Sequence, residues 1–185
     1  MTSPRGPVAA ALRARRSYPA VGDAAPTTRE LLPLIASAGS LADHASLRPW
    51  RIIAVRGPAR ERVGAAIAEA SGLTGPAAEK LAAKPLRAPL LLAIVFSPKP
   101  SIKVPEWEQE AAASGVAHAL SLLLDEAGWG VMWRTGLQLR SDAVARAHEL
   151  APGERLMGWL YVGAKPDGKS GRREPVKARD HLSSL

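Results

Sequence analysis

Short apolar runs bounded by proline and glycine alternate along the chain with stretches of helical period. Between Pro89 and Ser97 the seven residues Leu90–Phe96 (LLLAIVF) are continuously apolar. A run of that length, closed by breakers, reads as a strand covered on both faces. Trp50–Arg56 (WRIIAVR), Val131–Thr135 and Leu156–Val162 (LMGWLYV) read as three more strands. Residues 8–14 (VAAALRA) predict a short helix. Thr27 and Glu30 have capping-box spacing, which opens a helix through Leu31, Leu34, Ile35 and Ala38 that Gly39 closes. Pro33 is expected to be harmless there, as part of a first turn whose N–H groups have no intrahelical partner. A loop spans 40–49. After Pro58, a period through Val63, Ile67 and Ala70 predicts the next helix, and residues 71–88 hold at most one short one.

Prolines at 98, 100 and 105 make 97–105 a stiff loop. The longest helix starts at Glu106 and carries Ala112, Val116, Ala119, Leu120, Leu123 and Ala127 at helical period, until Gly128 and Gly130 end it. Ser141 and Asp142 cap a helix expected to reach Leu150, and Pro152-Gly153 turns into the last strand. No repeat or linker divides the chain. Helices alternating with four strands indicate one layered α/β domain over 1–185, with a helical arm at 1–14 and a basic tail at 164–185.

Charge sharpens this picture. Twenty-five basic residues against 17 acidic give a net charge of +8 on 185 residues. The excess sits at the ends: Arg5, Arg13, Arg15 and Arg16 near the start, and Lys165, Lys169, Arg172, Arg173, Lys177 and Arg179 against Asp167, Glu174 and Asp180 near the finish. Such a chain favours an anionic partner: nucleic acid, anionic lipid or a phosphate-bearing cofactor. Aromatic residues are only 4% and none interleaves with the arginines, which argues against a base-stacking surface. The longest apolar run is far short of the roughly 20 residues that span a bilayer. The apolar patch near the start is too short for a signal-peptide core. A cytoplasmic protein with neither membrane nor nucleic-acid partner is the expectation.

The absence of cysteine removes disulfides, a thiol nucleophile, iron–sulfur ligation and cysteine-based zinc sites. Phosphate-loop, HExxH and GxSxG signatures are missing too. Gly128-Trp129-Gly130 starts like a dinucleotide fingerprint, but it follows a helix and precedes a strand, the reverse of the required order. The histidines do not group by spacing, so no metal site is expected. His118, inside the long helix, is expected to be packed or partly buried, and His148 and His181 to lie at the surface. Glu106, Glu108 and Glu110 suit the positive end of the long helix.

Three separated segments carry a resemblance. The first is Arg15-Arg16-Ser17, followed by Ala25-Pro26-Thr27 and the capped helix. The second is Asp43-His44-Ala45-Ser46-Leu47-Arg48-Pro49-Trp50-Arg51, just before a strand. The third runs from Pro105-Glu106-Trp107-Glu108-Gln109-Glu110 to Gly130 and Trp133-Arg134-Thr135-Gly136. With the closing Gly158–Gly163 strand, they resemble the FMN-dependent nitroreductase family, in particular its compact YdjA-type branch, over nearly the whole chain.

The resemblance implies an α+β fold: a three-layer α/β/α sandwich with a mixed central sheet, assembled as a homodimer with shared FMN sites. It implies hydride transfer from NAD(P)H through flavin N5 to a nitro, quinone or similar small-molecule acceptor in a ping-pong cycle. The flavin would carry the chemistry, so no side chain is expected to be catalytic. The implied cofactor-binding residues are Arg15, Arg16, Ser17, His44, Arg48, Trp133, Arg134, Thr135 and Gly136. Forked, permanently charged arginines suit a phosphate. Arg48 is the expected cation beside N1 and the C2 carbonyl, where reduction places negative charge. Trp133 is expected to pack in the core more than to stack on the ring. Three departures stand out. Ala20 lies where many relatives have a basic residue shortly after the arginine pair, Arg48 replaces a common glutamine, and Ala42 a frequent proline. A flavin-storage or sensing protein without turnover stays open beside the reductase, as does an anion- or nucleic-acid-binding module.

Overall fold

A computed structural model describes residues 6–168 and 174–185. Arg5, Lys169, Arg172 and Arg173, counted above among the basic ends, lie outside the described residues. Four strands form the sheet: β1 (Trp50–Arg56), β2 (Leu90–Phe96), β3 (Trp129–Arg134) and β4 (Arg155–Ala164). Their order across it is β1-β2-β4-β3, and every pairing is antiparallel. This corrects the mixed sheet of the expectation. The unbroken apolar run of β2 reflects helices on both of its faces, a condition antiparallel strands meet as well as parallel ones.

Alternation along β2 divides the core. Leu90, Leu92, Ile94 and Phe96 face one way, against α2 (Thr28–Ala38) and α5 (Glu106–Glu126), where Leu31, Val116, Leu120 and Leu124 fill the space. Leu91, Ala93 and Val95 face α3 (Pro58–Ser71) and α6 (Asp142–Ala147), meeting Val63, Ile67 and Val144. The result is the three-layer sandwich, helix–sheet–helix. Two further helices, α1 (Pro7–Ala14) and α4 (Gly75–Ala82), flank it, and a 3-10 turn at Lys84–Arg87 leads into β2. No described helix is long and apolar enough to cross a membrane.

Several boundaries follow from local chemistry. The capping box forms in full: the Thr27 hydroxyl accepts from the Glu30 N–H, and the Glu30 carboxylate accepts from the Thr27 N–H at 2.7 Å. Pro33, however, stands inside α2, beyond the first turn. The helix therefore continues past a missing backbone bond instead of avoiding one. Its hold on the core through Leu31 and Ala38 sustains it. Helix α6 stops at Ala147, three residues before the expected Leu150, with Glu149 in the left-handed region (φ 51°).

Strand β3 begins two residues earlier than expected, so Gly130 belongs to a strand and not to a helix stop. A Cβ at Gly130 would lie 2.9 Å from Val21 Cγ1. The glycine is there because the segment after the arginine pair passes directly over it. That segment is pinned to the sheet edge by Tyr18 N–H to the Val131 carbonyl (3.1 Å) and Gly22 N–H to the Ala164 carbonyl (2.9 Å). Arg15, Arg16 and Ser17 are thereby held beside β3.

Candidate cofactor site

Trp133, near the end of β3, separates two cavities. On the α5 side lies a cleft of about 930 Å³ lined by Arg13, Arg15, Arg16, Ser17, His118, Ser121 and Trp133, with Glu174–Val176 of the tail. On the other side lies a cavity of about 300 Å³ lined by Ile67, Lys84, Arg87, Met132–Gly136, Gln138, Leu139, Trp159 and Tyr161. The ring of Trp133 is fixed from two directions. Its N–H donates to the Met157 carbonyl at 3.3 Å, and His118 meets it edge-on with ring centroids 4.8 Å apart. Trp133 thus both packs on the core and walls the cavities. His118 is exposed, contrary to the packed position expected, because α5 turns that position toward the cleft.

The smaller cavity is cationic. Lys84, Arg87 and Arg134 reach it, and among the described residues no carboxylate does. Arg134 lies over the Tyr161 ring at 5.3 Å and donates from Nη2 to the Pro19 carbonyl at 2.9 Å. Burial pushes the Tyr161 phenol up to about 12, with Arg134 and Arg87 partly opposing it. It therefore stays a neutral donor across the physiological range.

In the cleft, Arg15 Nη1 donates to Ser17 Oγ at 3.3 Å. Arg16 Nη1 caps the end of α1 through the carbonyls of Arg13, Ala14 and Arg15. The buried Nε atoms of Arg16 and Arg134 have no hydrogen-bond partner among the described residues. A buried guanidinium N–H left so is costly unless an acceptor from outside the chain meets it. Arginines on one cleft, three cations on the adjoining cavity and orphaned donors at both fit a large anionic cofactor.

Of the residues read from sequence, Arg15, Arg16, Ser17 and Trp133 share the cleft, and Trp133, Arg134, Thr135 and Gly136 share the cavity. His44 and Arg48 line neither. Their loop is held by Asp43, whose carboxylate accepts from the Arg48 N–H at 2.6 Å, and by His44 Nδ1 against Glu108 at 2.8 Å. Ala45, Ser46 and Arg48 all take positive φ there, an uncommon conformation for residues other than glycine. The three acidic residues at the start of α5 each reach another element: Glu106 to Arg155, Glu108 to His44, and Glu110 to Arg140 at 3.1 Å.

Sequence reasoning missed Lys84 and Arg87, whose side chains make neither an ion pair nor a hydrogen bond among the described residues yet stand at the cavity. A signal was present: two cations spaced three apart around Pro85, in a turn leading into the most buried strand. Trp159, Tyr161 and His148 were missed as well. His148, expected at the surface, is buried beneath Trp159. Burial lowers its pKa, and the field of Arg51 adds to that while its bond to the Val144 carbonyl opposes it, so the ring is neutral.

Comparisons with known proteins agree with this architecture. The Nitroreductase family model matches residues 12–164. YdjA of Escherichia coli (strain K12), whose name assigns it provisionally to the NAD(P)H nitroreductases, is 32% identical over 152 residues, covering 80% of this chain and 83% of its own. A nitroreductase-like family protein from Bacillus cereus superposes with a TM-score of 0.83 at 20% identity, over 100% of this chain and 99% of its own. NfnB of Sphigopyxis sp. strain HMH, an FMN and NADPH-dependent nitroreductase, gives 0.70 at 19% identity, over 95% of this chain and 97% of its own. With a family match over most of its length and a relative near one-third identical across four-fifths of it, this chain belongs to the nitroreductase family of oxidoreductases.

Proposed function

We propose that the protein is an FMN-dependent oxidoreductase that takes hydride from NAD(P)H and passes it to a nitro, quinone or similar small-molecule acceptor by a ping-pong mechanism. The observation that carries this reading is the pair of cation-lined cavities on either side of Trp133, with the unpartnered Nε atoms of Arg16 and Arg134. Bound FMN supplies reversible two-electron chemistry that no side chain of this protein can supply. The FMN and NADPH dependence of NfnB supports the choice of cofactor.

Each residue then has a stated task. Arg15, Arg16 and Ser17 bind the phosphate end as charged and hydroxyl donors. Lys84, Arg87 and Arg134 stabilise negative charge that reduction puts on the ring system. Tyr161, held protonated, donates a hydrogen bond into the same space. Gly136 presents no side chain, and only Gln138 Oε1, at 3.8 Å, would stand near a Cβ added there. That leaves room for a planar ring against the backbone. His44 and Arg48 lie outside both cavities of their own chain, which supports a homodimer in which they serve the partner's cofactor.

The mechanism is tested by steady-state rates at varied NAD(P)H and varied acceptor. Parallel double-reciprocal lines are expected for two half-reactions sharing one site. Intersecting lines would require both substrates bound together and would contradict it. Protein that holds FMN but is not reduced by NADH or NADPH would instead be the storage or sensing relative.

A further inference from the structure

Trp159 forms part of the wall of the smaller cavity and is only 3% exposed. The indole N–H is the one polar atom of that ring, and once buried it must find an acceptor. The acceptor is not main chain. It is Nε2 of His148 at 2.9 Å, on a residue just past the end of α6 that is itself only 4% exposed. His148 is oriented in turn, since its Nδ1–H donates to the Val144 carbonyl at 2.8 Å. One nitrogen donates and the other accepts, so a single neutral tautomer satisfies both partners. The two rings lie 5.7 Å apart with planes inclined by 44°. A site needing only volume would be served by leucine or phenylalanine. A histidine that links a helix end to one indole N–H sets direction instead.

We propose that His148 is a positioning residue: by accepting the Trp159 N–H it fixes the plane of that indole in the cavity wall, and with it the width of the space that Lys84 and Arg134 border. What the cavity receives rests on the cofactor reading above, whereas the orientation of Trp159 does not.

Three variants at position 148 test this. In His148→Leu the acceptor is gone; in His148→Asn the amide is too short to reach Trp159; in His148→Gln the amide oxygen stands near the place of Nε2. Trp159→Phe identifies the Trp159 indole resonance in ¹⁵N-labelled protein. The Leu and Asn variants should exchange the Trp159 indole proton at least about tenfold faster than wild type. They should also bind FMN about tenfold more weakly, equivalent to about 1.4 kcal/mol. His148→Gln should recover both to within about threefold. In a Trp159→Phe background, His148→Asn should leave FMN affinity unchanged. Unaltered indole exchange in the Asn variant, or a Gln variant as impaired as Asn, would overturn the proposal. Wild-type protein that takes up no FMN would defeat the cofactor reading alone, because the exchange rates still decide the positioning role.

Discussion

Two charged pairs stand at the edge of the core. Arg51 donates to Glu154 at 2.6 and 2.7 Å, and Lys165 meets Asp125 at 3.1 Å. Arg16 and Arg134, on the two cavities, each keep a buried Nε with no partner among the described residues. Those orphaned donors argue for an anion from outside. Arg15→Ala or Arg134→Ala should raise the FMN dissociation constant about 10- to 100-fold, from the roughly 1.5–3 kcal/mol of a charge-assisted hydrogen bond. Fluorescence quenching during FMN titration reads this. Lys84→Gln should shift the flavin midpoint potential to more negative values, since it removes a cation that favours the reduced form; an unchanged potential would remove Lys84 from that role. Glu154 gives a separate prediction. The Arg51 guanidinium holds its carboxyl at about 2, below its ordinary 4.5, with the side chain only 8% exposed. Its folded-state pKa is depressed, so the pair stabilises the fold above the ordinary carboxylate range. That contribution, on the order of 2 kcal/mol, fades as pH falls from about 4.5 toward 2. Urea unfolding across that window should show a shallower acid loss in Glu154→Gln than in wild type.

Single elements show what was legible in the sequence. Strands β1 and β2 lie at the expected residues because hydrophobic runs closed by proline or glycine leave little choice. The start of α2 was legible because capping chemistry is local, and Thr27→Ala should cost about 1 kcal/mol and lower Tm by roughly 2–4 °C in a calorimetric scan. What failed was non-local. Gly130 looked like a helix terminator, but its role is to let Val21 approach, a contact between residues more than a hundred positions apart. His148 looked like a surface residue because nothing beside it in sequence announces Trp159. Gly158 shows the same dependence on distant neighbours: φ is 134°, and a Cβ would stand 2.3 Å from Trp133 Nε1. Gly158→Ala should destabilise the protein by about 2 kcal/mol or more and displace Trp133, read as altered tryptophan fluorescence together with weaker FMN uptake. Normal stability and an unchanged spectrum would show that Trp133 does not depend on that glycine.

At the scale of the whole molecule, the layers bring the arginine pair, the Trp133–Gly136 turn and the Lys84–Arg87 turn to one region while leaving the His44–Arg48 loop outside it. The sequence carried the first two as recognisable segments; the third needed the fold, because Lys84 and Arg87 lie some fifty residues from Arg134 and join it only in the wall of the smaller cavity. The loop left outside is the strongest reason to expect a second chain. Light scattering should give a mass near twice the 19.5 kDa of the chain, and a monomer that binds FMN fully would remove His44 and Arg48 from the site. FMN held in these cavities and reduced there by NAD(P)H would be visible directly. The most direct measurement is the visible absorbance of the purified protein, reconstituted with FMN if colourless, before and after NADPH or NADH under anaerobic conditions. Flavin bands should stay with the protein through a desalting column and bleach with at least one of the two nucleotides. A protein that neither carries nor takes up FMN would overturn the flavin reading.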